Sequence, residues 1–382
     1  MNNLLLFFLI CLPFSAFLIP RLDIWHAQGY YAQTAILIFY CYHLYKKNKP
    51  FAILFGWVGL LTSYLFINVQ IQTKQLPILV FLPFFNFLCI VILFDVLTTY
   101  VNKEFFNKFI KYFSIPFLII LVYSVVQQLG LDQFYRSIDL SLRTVNNNEV
   151  VGIIGNPMHN SHFIVICLPV LFMFKGWVRK LLILFTLFVI LLTRSSSGFI
   201  LALVVILFGQ LFLKIFNWKE IILGIILGLI VGVLKFHSLD DAIKHFTFSS
   251  GRFEVWKNYI PVFIKKPLTG WGLGVINELS TQKQFFNWRH LHLEYYHFAV
   301  ELGLIAVGIA FWGIVDYFRK FKSAVKDDVT VVMASMFLGF LLTAMFGYPM
   351  HLWILSVLGI TAYSYLYIGV DDGVKHVIRD KK

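Results

Sequence analysis

Runs of about 20 almost uncharged residues recur along this chain, and few folds can accommodate them. Between Lys74 and Lys103 the only charged side chain is Asp95. Such runs place the spans at 3–20, 29–45, 51–68, 76–97, 113–130, 155–174, 181–193, 197–213, 221–234, 296–318, 329–348 and 352–369. The seventh and ninth are short, so the count is about twelve. Of the 382 residues, 59% are hydrophobic and 13% charged, about half the charged share of a soluble domain. A soluble enzyme, a disordered chain and a disulfide scaffold are excluded. The expected class is an all-α polytopic membrane protein.

The net charge of +13 does not point to nucleic acid, because the basic residues lie between the apolar runs. With the N-terminus inside, inward segments hold nineteen Lys and Arg and the short outward segments hold five. The other eight fall in the long segment 235–295, which crosses a membrane largely regardless of charge. Both termini are therefore expected in the cytoplasm, and the long loop outside, in the periplasm or on the cell surface. The beginning, Met1-Asn2-Asn3, lacks a basic region and reads as a retained first span. Cys11, Cys41, Cys89 and Cys167 each lie in an apolar run without CxxC spacing, so no thiolate metal site is expected.

Three regions follow: N-terminal transmembrane helices over 1–234, a large outer loop over 235–295, and C-terminal helices with a short tail over 296–382. The loop of some 60 residues carries Trp256, Tyr259, Trp271 and Trp288, a composition unlike disorder and consistent with short helices.

Four constellations could carry chemistry. Ser250-Gly251-Arg252-Phe253-Glu254-Val255-Trp256 is followed by Lys265-Lys266-Pro267 and Gly270-Trp271-Gly272-Leu273-Gly274. The spacing predicts a helix that opens at Arg252, ends near Lys266 and gives way to a tight glycine turn. No Lys-Ser/Thr follows the glycines, so the turn is not a Walker loop. On its own the stretch reads rather as a surface helix, a turn and an aromatic interface anchor. The second is Arg289-His290-Leu291-His292-Leu293-Glu294-Tyr295-Tyr296-His297, leading to Glu301-Leu302-Gly303. Three His and two Glu at a membrane mouth suggest proton transfer. His297 and Glu301, four apart, share a helix face. A metal site is disfavoured because the set lacks a standard spacing, and the plain alternative is a group of interfacial histidines.

The third is Thr193-Arg194-Ser195-Ser196-Ser197-Gly198 between two spans, where Arg194 either snorkels or grips a phosphate. The fourth is Gly155-Asn156-Pro157-Met158-His159-Asn160-Ser161-His162 at the start of the sixth span. Polar groups at membrane depth usually line a cavity, which makes Asn160 a candidate. The chain has no DxD and no nucleotide-sugar domain, so no metal or other cofactor is expected.

These pieces occur in one order: Thr193 to Gly198; Gly251, Arg252 and Trp256; Pro267, Gly270 and Gly272; His292, Glu294, Tyr295, Glu301, Leu302 and Gly303. Over about residues 190–310 the order resembles the O-antigen ligase and polymerase superfamily of bacterial membrane glycosyltransferases. The resemblance implies metal-independent, inverting glycan transfer from undecaprenyl diphosphate to an acceptor hydroxyl on lipid A core, a saccharide or a protein. It implies diphosphate contacts from Arg252 and Arg194, and His292 as the base. His-Asn, usual in the family, is His292-Leu293 here, and His290 is the competing position. Glu294, Tyr295, His297, Glu301, Asn160 and Trp256 are expected to support the site. The ligase reading is preferred to a repeat-unit polymerase or a protein O-oligosaccharyltransferase. A lipid-linked glycan flippase is the alternative of another class.

Overall fold

The computed structural model describes residues 2–17, 31–38, 78–132, 150–217, 219–220, 252–279 and 291–379. All regular structure in them is helical. The spans expected at 51–68 and 221–234, and residues 235–251 and 280–290 of the expected outer loop, His290 among them, lie outside the described residues.

The helices are α1 (Asn2–Cys11), α2 (Ile78–Tyr100), α3 (Lys103–Gln128), α4 (Pro157–Cys167), α5 (Gly176–Leu192), α6 (Ser196–Leu213), α7 (Arg252–Lys265), α8 (Val275–Leu279), α9 (Glu294–Ser323), α10 (Asp328–Thr343) and α11 (Trp353–Arg379). Three of them, α3, α6 and α9, are long and apolar enough to cross a membrane. The apolar runs account for the shorter ones too: α1 gives way to a 3-10 turn over Leu12–Phe17 around Pro13, and α4 does the same over Leu168–Met173 around Pro169.

α3 shows why water is not the solvent of its outer face. Asn102 caps it, the side chain accepting from the Phe105 amide at 3.0 Å. Phe106, Phe109, Phe113, Phe117 and Ile120 form a buried stripe at helical spacing. The opposite face presents Ile115, Ile119 and Val122, each more than half exposed. A helix apolar on both faces is at home against lipid.

α10 and α4 form the centre of the bundle and are buried almost throughout. α6 and α11 flank α10, and α3 and α5 pack around the extension of α4. Small residues allow close crossings: a Cβ on Gly198 would strike the Ser161 side chain, and one on Gly339 would press on the Val165 carbonyl at 3.3 Å.

A second, smaller apolar cluster lies in the segment ahead of α9. Val255 and Tyr259 of α7, Val275 and Ile276 of α8, Leu291, and Val300 of α9 are its buried members. The helix expected from Arg252 is present and ends at Lys265. The tenth expected span is broken, because Gly303 takes φ 76 and ψ 175 inside α9.

Candidate active site

The glycine turn and the break in α9 are two halves of one structure. A break in a helix orphans backbone groups on both sides. Here the turn satisfies them. Trp271 N donates to Val300 O at 3.1 Å and Gly272 N to Glu301 O at 2.7 Å, while Leu304 N donates to Pro267 O at 2.8 Å and Ile305 N to Leu268 O at 3.3 Å. The Glu301 side chain completes the joint: its Oε1 accepts from Gly274 N at 2.9 Å and Ile276 N at 3.3 Å. The motifs Pro-x2-Gly-x-Gly and Glu-Leu-Gly thus require each other.

His292 sits just ahead of α9 in the left-handed region, at φ 53. Histidine is among the few residues that tolerate it, and such positions cluster at functional sites. The backbone around it is held from several sides. Trp256 Nε1 donates to Leu291 O at 2.7 Å, Glu294 N to Ala344 O at 2.9 Å, and Tyr295 Oη to Leu341 O at 2.8 Å. One turn of α7 therefore does two things: Arg252 points into the bundle, and Trp256, four residues on, pins the residue before His292.

Arg252 is half-buried; it donates to Phe346 O at 3.4 Å and lies 3.2 Å from Met158 Sδ. Its charge acts on His159, His162 and His292. Tyr348 joins them: its hydroxyl is 2.8 Å from His159 Nε2, and its ring centroid is 5.0 Å from that of His292. Burial first, then the Arg252 cation and His297, push His292 down to about 4. Its imidazole is neutral near pH 7 and able to accept a proton. Burial also lowers Arg252 from its ordinary value, with Tyr348 opposing.

Behind His292 lies a compact acid–imidazole group. His297 Nε2 is 3.3 Å from Glu301 Oε1, so the expected shared face is real, and His351 Nδ1 is 2.9 Å from Glu294 Oε1. Glu294 Oε2 accepts from Met350 N at 3.2 Å. Burial disfavours the His351 cation, but Glu294 and Glu301 outweigh it and raise the pKa. His297, Glu301 and His351 place three ligand atoms within 4.8 Å of one another, close enough to hold a metal. Their present contacts already join them in two acid–imidazole pairs.

The fourth constellation is a helix start. Asn156 caps α4, accepting from His159 N at 3.2 Å, with Pro157 in the first turn. It delivers His159, Asn160 and His162 to the interior, fully buried or nearly so. Among the described residues, neither the Asn160 amide nor the His162 ring nitrogens have a hydrogen-bond partner. Tyr348 had no sequence signal beyond its place in Tyr348-Pro349-Met350-His351 between the last two spans.

Arg194 stands apart. It occupies the turn between α5 and α6 at φ 56, exposed, and among the described residues no hydrogen bond or ion pair joins it to Arg252 or His292. Ser195 next to it caps α6 by accepting from Gly198 N at 3.2 Å. Gly198 in turn abuts Ser161, between Asn160 and His162. The Arg194 turn is thus at the histidine end of the bundle.

No curated protein matches the chain. The family model described as O-antigen ligase matches residues 181–311, a stretch that takes in Arg194, Arg252, Trp256, the glycine turn, His292 and Glu301. Over this segment, about a third of the chain, the sequence is similar to the O-antigen ligase family.

Proposed function

We propose that this protein is a membrane glycosyltransferase that moves a saccharide from undecaprenyl diphosphate to an acceptor hydroxyl, of the O-antigen ligase type. The observation that carries the proposal is the meeting of Arg252, from α7, and His292, from the start of α9, around Tyr348. A guanidinium beside a neutral imidazole suits transfer from a diphosphate.

The acceptor oxygen attacks the anomeric carbon as the bond from that carbon to the diphosphate oxygen breaks. The bonding electron pair leaves with undecaprenyl diphosphate, and the hydroxyl proton goes to His292. Direct displacement inverts the anomeric centre. Arg252 faces charge that grows on the diphosphate as the bond breaks, so it favours the transition state over the ground state. Its planar fork matches phosphate oxygens and keeps its proton. Arg194 takes the outer part of the same diphosphate, reached from the exposed turn at this end of the bundle. A diphosphate is already a good leaving group, so the route is metal-independent. Trp256, Glu294, Tyr295, His297 and Glu301 are positioning residues, and Asn160 lines the acceptor side. On the charge count the site faces the periplasm of a bacterial inner membrane, with both termini cytoplasmic.

The test is the size of lipid-linked glycan in cells lacking the protein, with rescue by wild type or His292→Ala. Accumulated long chains on undecaprenyl diphosphate are expected, restored to normal by wild type only. Accumulated single repeat units would replace the ligase reading with a polymerase. Rescue by His292→Ala would exclude the transferase and leave a transporter.

A further inference from the structure

The other end of the α5–α6 hairpin holds a recess of about 550 Å³ lined by Gly176, Arg179, Lys180, Gln210, Lys214 and Asn217, among others. α6 has 18 residues, so the recess is about 25 Å from the Arg194 turn and the histidines near it. It belongs to a different surface from the candidate active site.

Its walls are fixed by the chain's own hydrogen bonds. Gln210 clamps the turn after α6, donating to Phe216 O at 2.8 Å and accepting from Phe216 N at 2.7 Å. Asn217 and Glu220 cap each other: Glu220 N donates to Asn217 Oδ1 at 3.0 Å, and Asn217 N to Glu220 Oε2 at 2.9 Å. Lys180 Nζ grips both oxygens of the same carboxylate, at 2.6 and 2.7 Å.

Glu220 is thereby committed. Arg179 and Lys214 line the recess without a carboxylate partner among the described residues. A Cβ on Gly176 would meet nothing within 4 Å, so the space over the start of α5 is open. Lys175 supplies no side-chain cap there, which leaves the positive end of a 17-residue helix facing that space. Trp177 and Leu211, next in sequence to the lining residues Gly176 and Gln210, are exposed apolar side chains, Trp177 at 72%. Two cations without a carboxylate partner among the described residues, in a recess whose turn is tied by hydrogen bonds, with exposed apolar side chains nearby, match a phosphate carried on a lipid.

We propose that this recess binds a phosphate-bearing anion through Arg179 and Lys214, and that its occupant in the membrane is the head group of an anionic phospholipid. The site is independent of the glycosyl-transfer reading, since it shares no residue with it. Glu220, held by Lys180 and Asn217, keeps the carboxylate out of the way of the bound phosphate.

The test uses the full-length protein in detergent and native mass spectrometry, with phosphatidylglycerol, phosphatidylethanolamine or inorganic phosphate added in separate arms. Wild type is expected to retain phosphatidylglycerol and not phosphatidylethanolamine. Arg179→Gln combined with Lys214→Gln should lower retention at least about tenfold. Lys111→Gln combined with Lys322→Gln removes the same charge from exposed positions elsewhere and should leave retention unchanged. Protection by inorganic phosphate without retention of phosphatidylglycerol would uphold the phosphate site and assign it to a soluble anion. Equal retention by the two double variants, or binding of neither probe, would overturn the proposal. Circular dichroism of each variant checks that it is folded.

Discussion

Gly270 and Gly303, thirty-three residues apart in sequence, pack backbone against backbone. A Cβ on Gly270 would run into the Glu301 carbonyl and the Gly303 nitrogen, and one on Gly303 into the Leu268 carbonyl and the Gly270 nitrogen. Both residues have positive φ, at 65 and 76. The joint fixes the start of α9, and with it the segment that carries His292.

Alanine at either position therefore meets two penalties. The positive-φ backbone costs about 1–3 kcal/mol for a residue with a Cβ, and the overlap adds about 1–3 kcal/mol. Gly303→Ala and Gly270→Ala should each destabilise the protein by at least about 2 kcal/mol, read from unfolding midpoints in detergent. Gly308→Ala, where a Cβ meets nothing within 4 Å, is the control and should be neutral or slightly stabilising. A Gly303→Ala protein as stable as the control would refute the joint.

Local spacing made part of this legible in the sequence. The helix α7, its end before the glycines, and the shared face of His297 and Glu301 all follow from residues within one or two turns. The union of Pro267–Gly272 with Glu301–Gly303 is a non-local contact, and no periodicity in either stretch announces it. Nor does anything in the sequence say that Trp256 reaches Leu291, or that Tyr348 stands between His159 and His292. The polar run after Gly155 was readable as an unusual stretch at membrane depth, because buried polar groups there are costly. Its role as a capped helix start was not, since Asn156-Pro157 is also the signature of a plain turn.

Trp256→Phe keeps the ring and removes one donor, the indole N–H bonded to Leu291 O. A net loss of about 1 kcal/mol in stability is expected. The larger effect should be on turnover, because the lost bond positions His292 and touches no substrate. The transfer rate should fall about tenfold or more at saturating donor while the donor KM changes little. A raised KM with unchanged turnover would move Trp256 into the binding site.

The pH dependence should reveal the coupling of His292 to Arg252. His292 accepts a proton only when neutral, so activity is lost as pH falls through its pKa. Burial and the Arg252 cation hold that pKa down at about 4, so kcat/KM, which reports the free enzyme, should have its acid limb near that value. A bound diphosphate offsets the Arg252 charge and favours the imidazolium. The acid limb of kcat should accordingly lie at higher pH than that of kcat/KM. Arg252→Gln removes the cation, so in that variant the kcat/KM limb should shift upward and the gap should narrow. Limbs that coincide in wild type, and an Arg252→Gln profile displaced only in height, would separate the two residues.

Asn160 poses a different question, because its amide is fully buried and has no hydrogen-bond partner among the described residues. An unsatisfied buried polar group costs about 1–3 kcal/mol. Replacing it with an apolar side chain of similar volume should recover part of that cost. Asn160→Leu is expected to raise the unfolding midpoint and to lower glycan transfer, the pattern of a residue kept for function at the expense of stability. The same substitution at Ser335, whose hydroxyl is also buried without a partner but belongs to the central helix α10, is not equivalent in size. Ser335→Ala is the matched control there, and should raise stability without touching transfer. If Asn160→Leu lowers the midpoint, the amide is satisfied in the folded protein and its place is structural. If it raises the midpoint and leaves transfer intact, the acceptor does not reach α4, and the site is confined to Arg252, His292 and their neighbours around Tyr348.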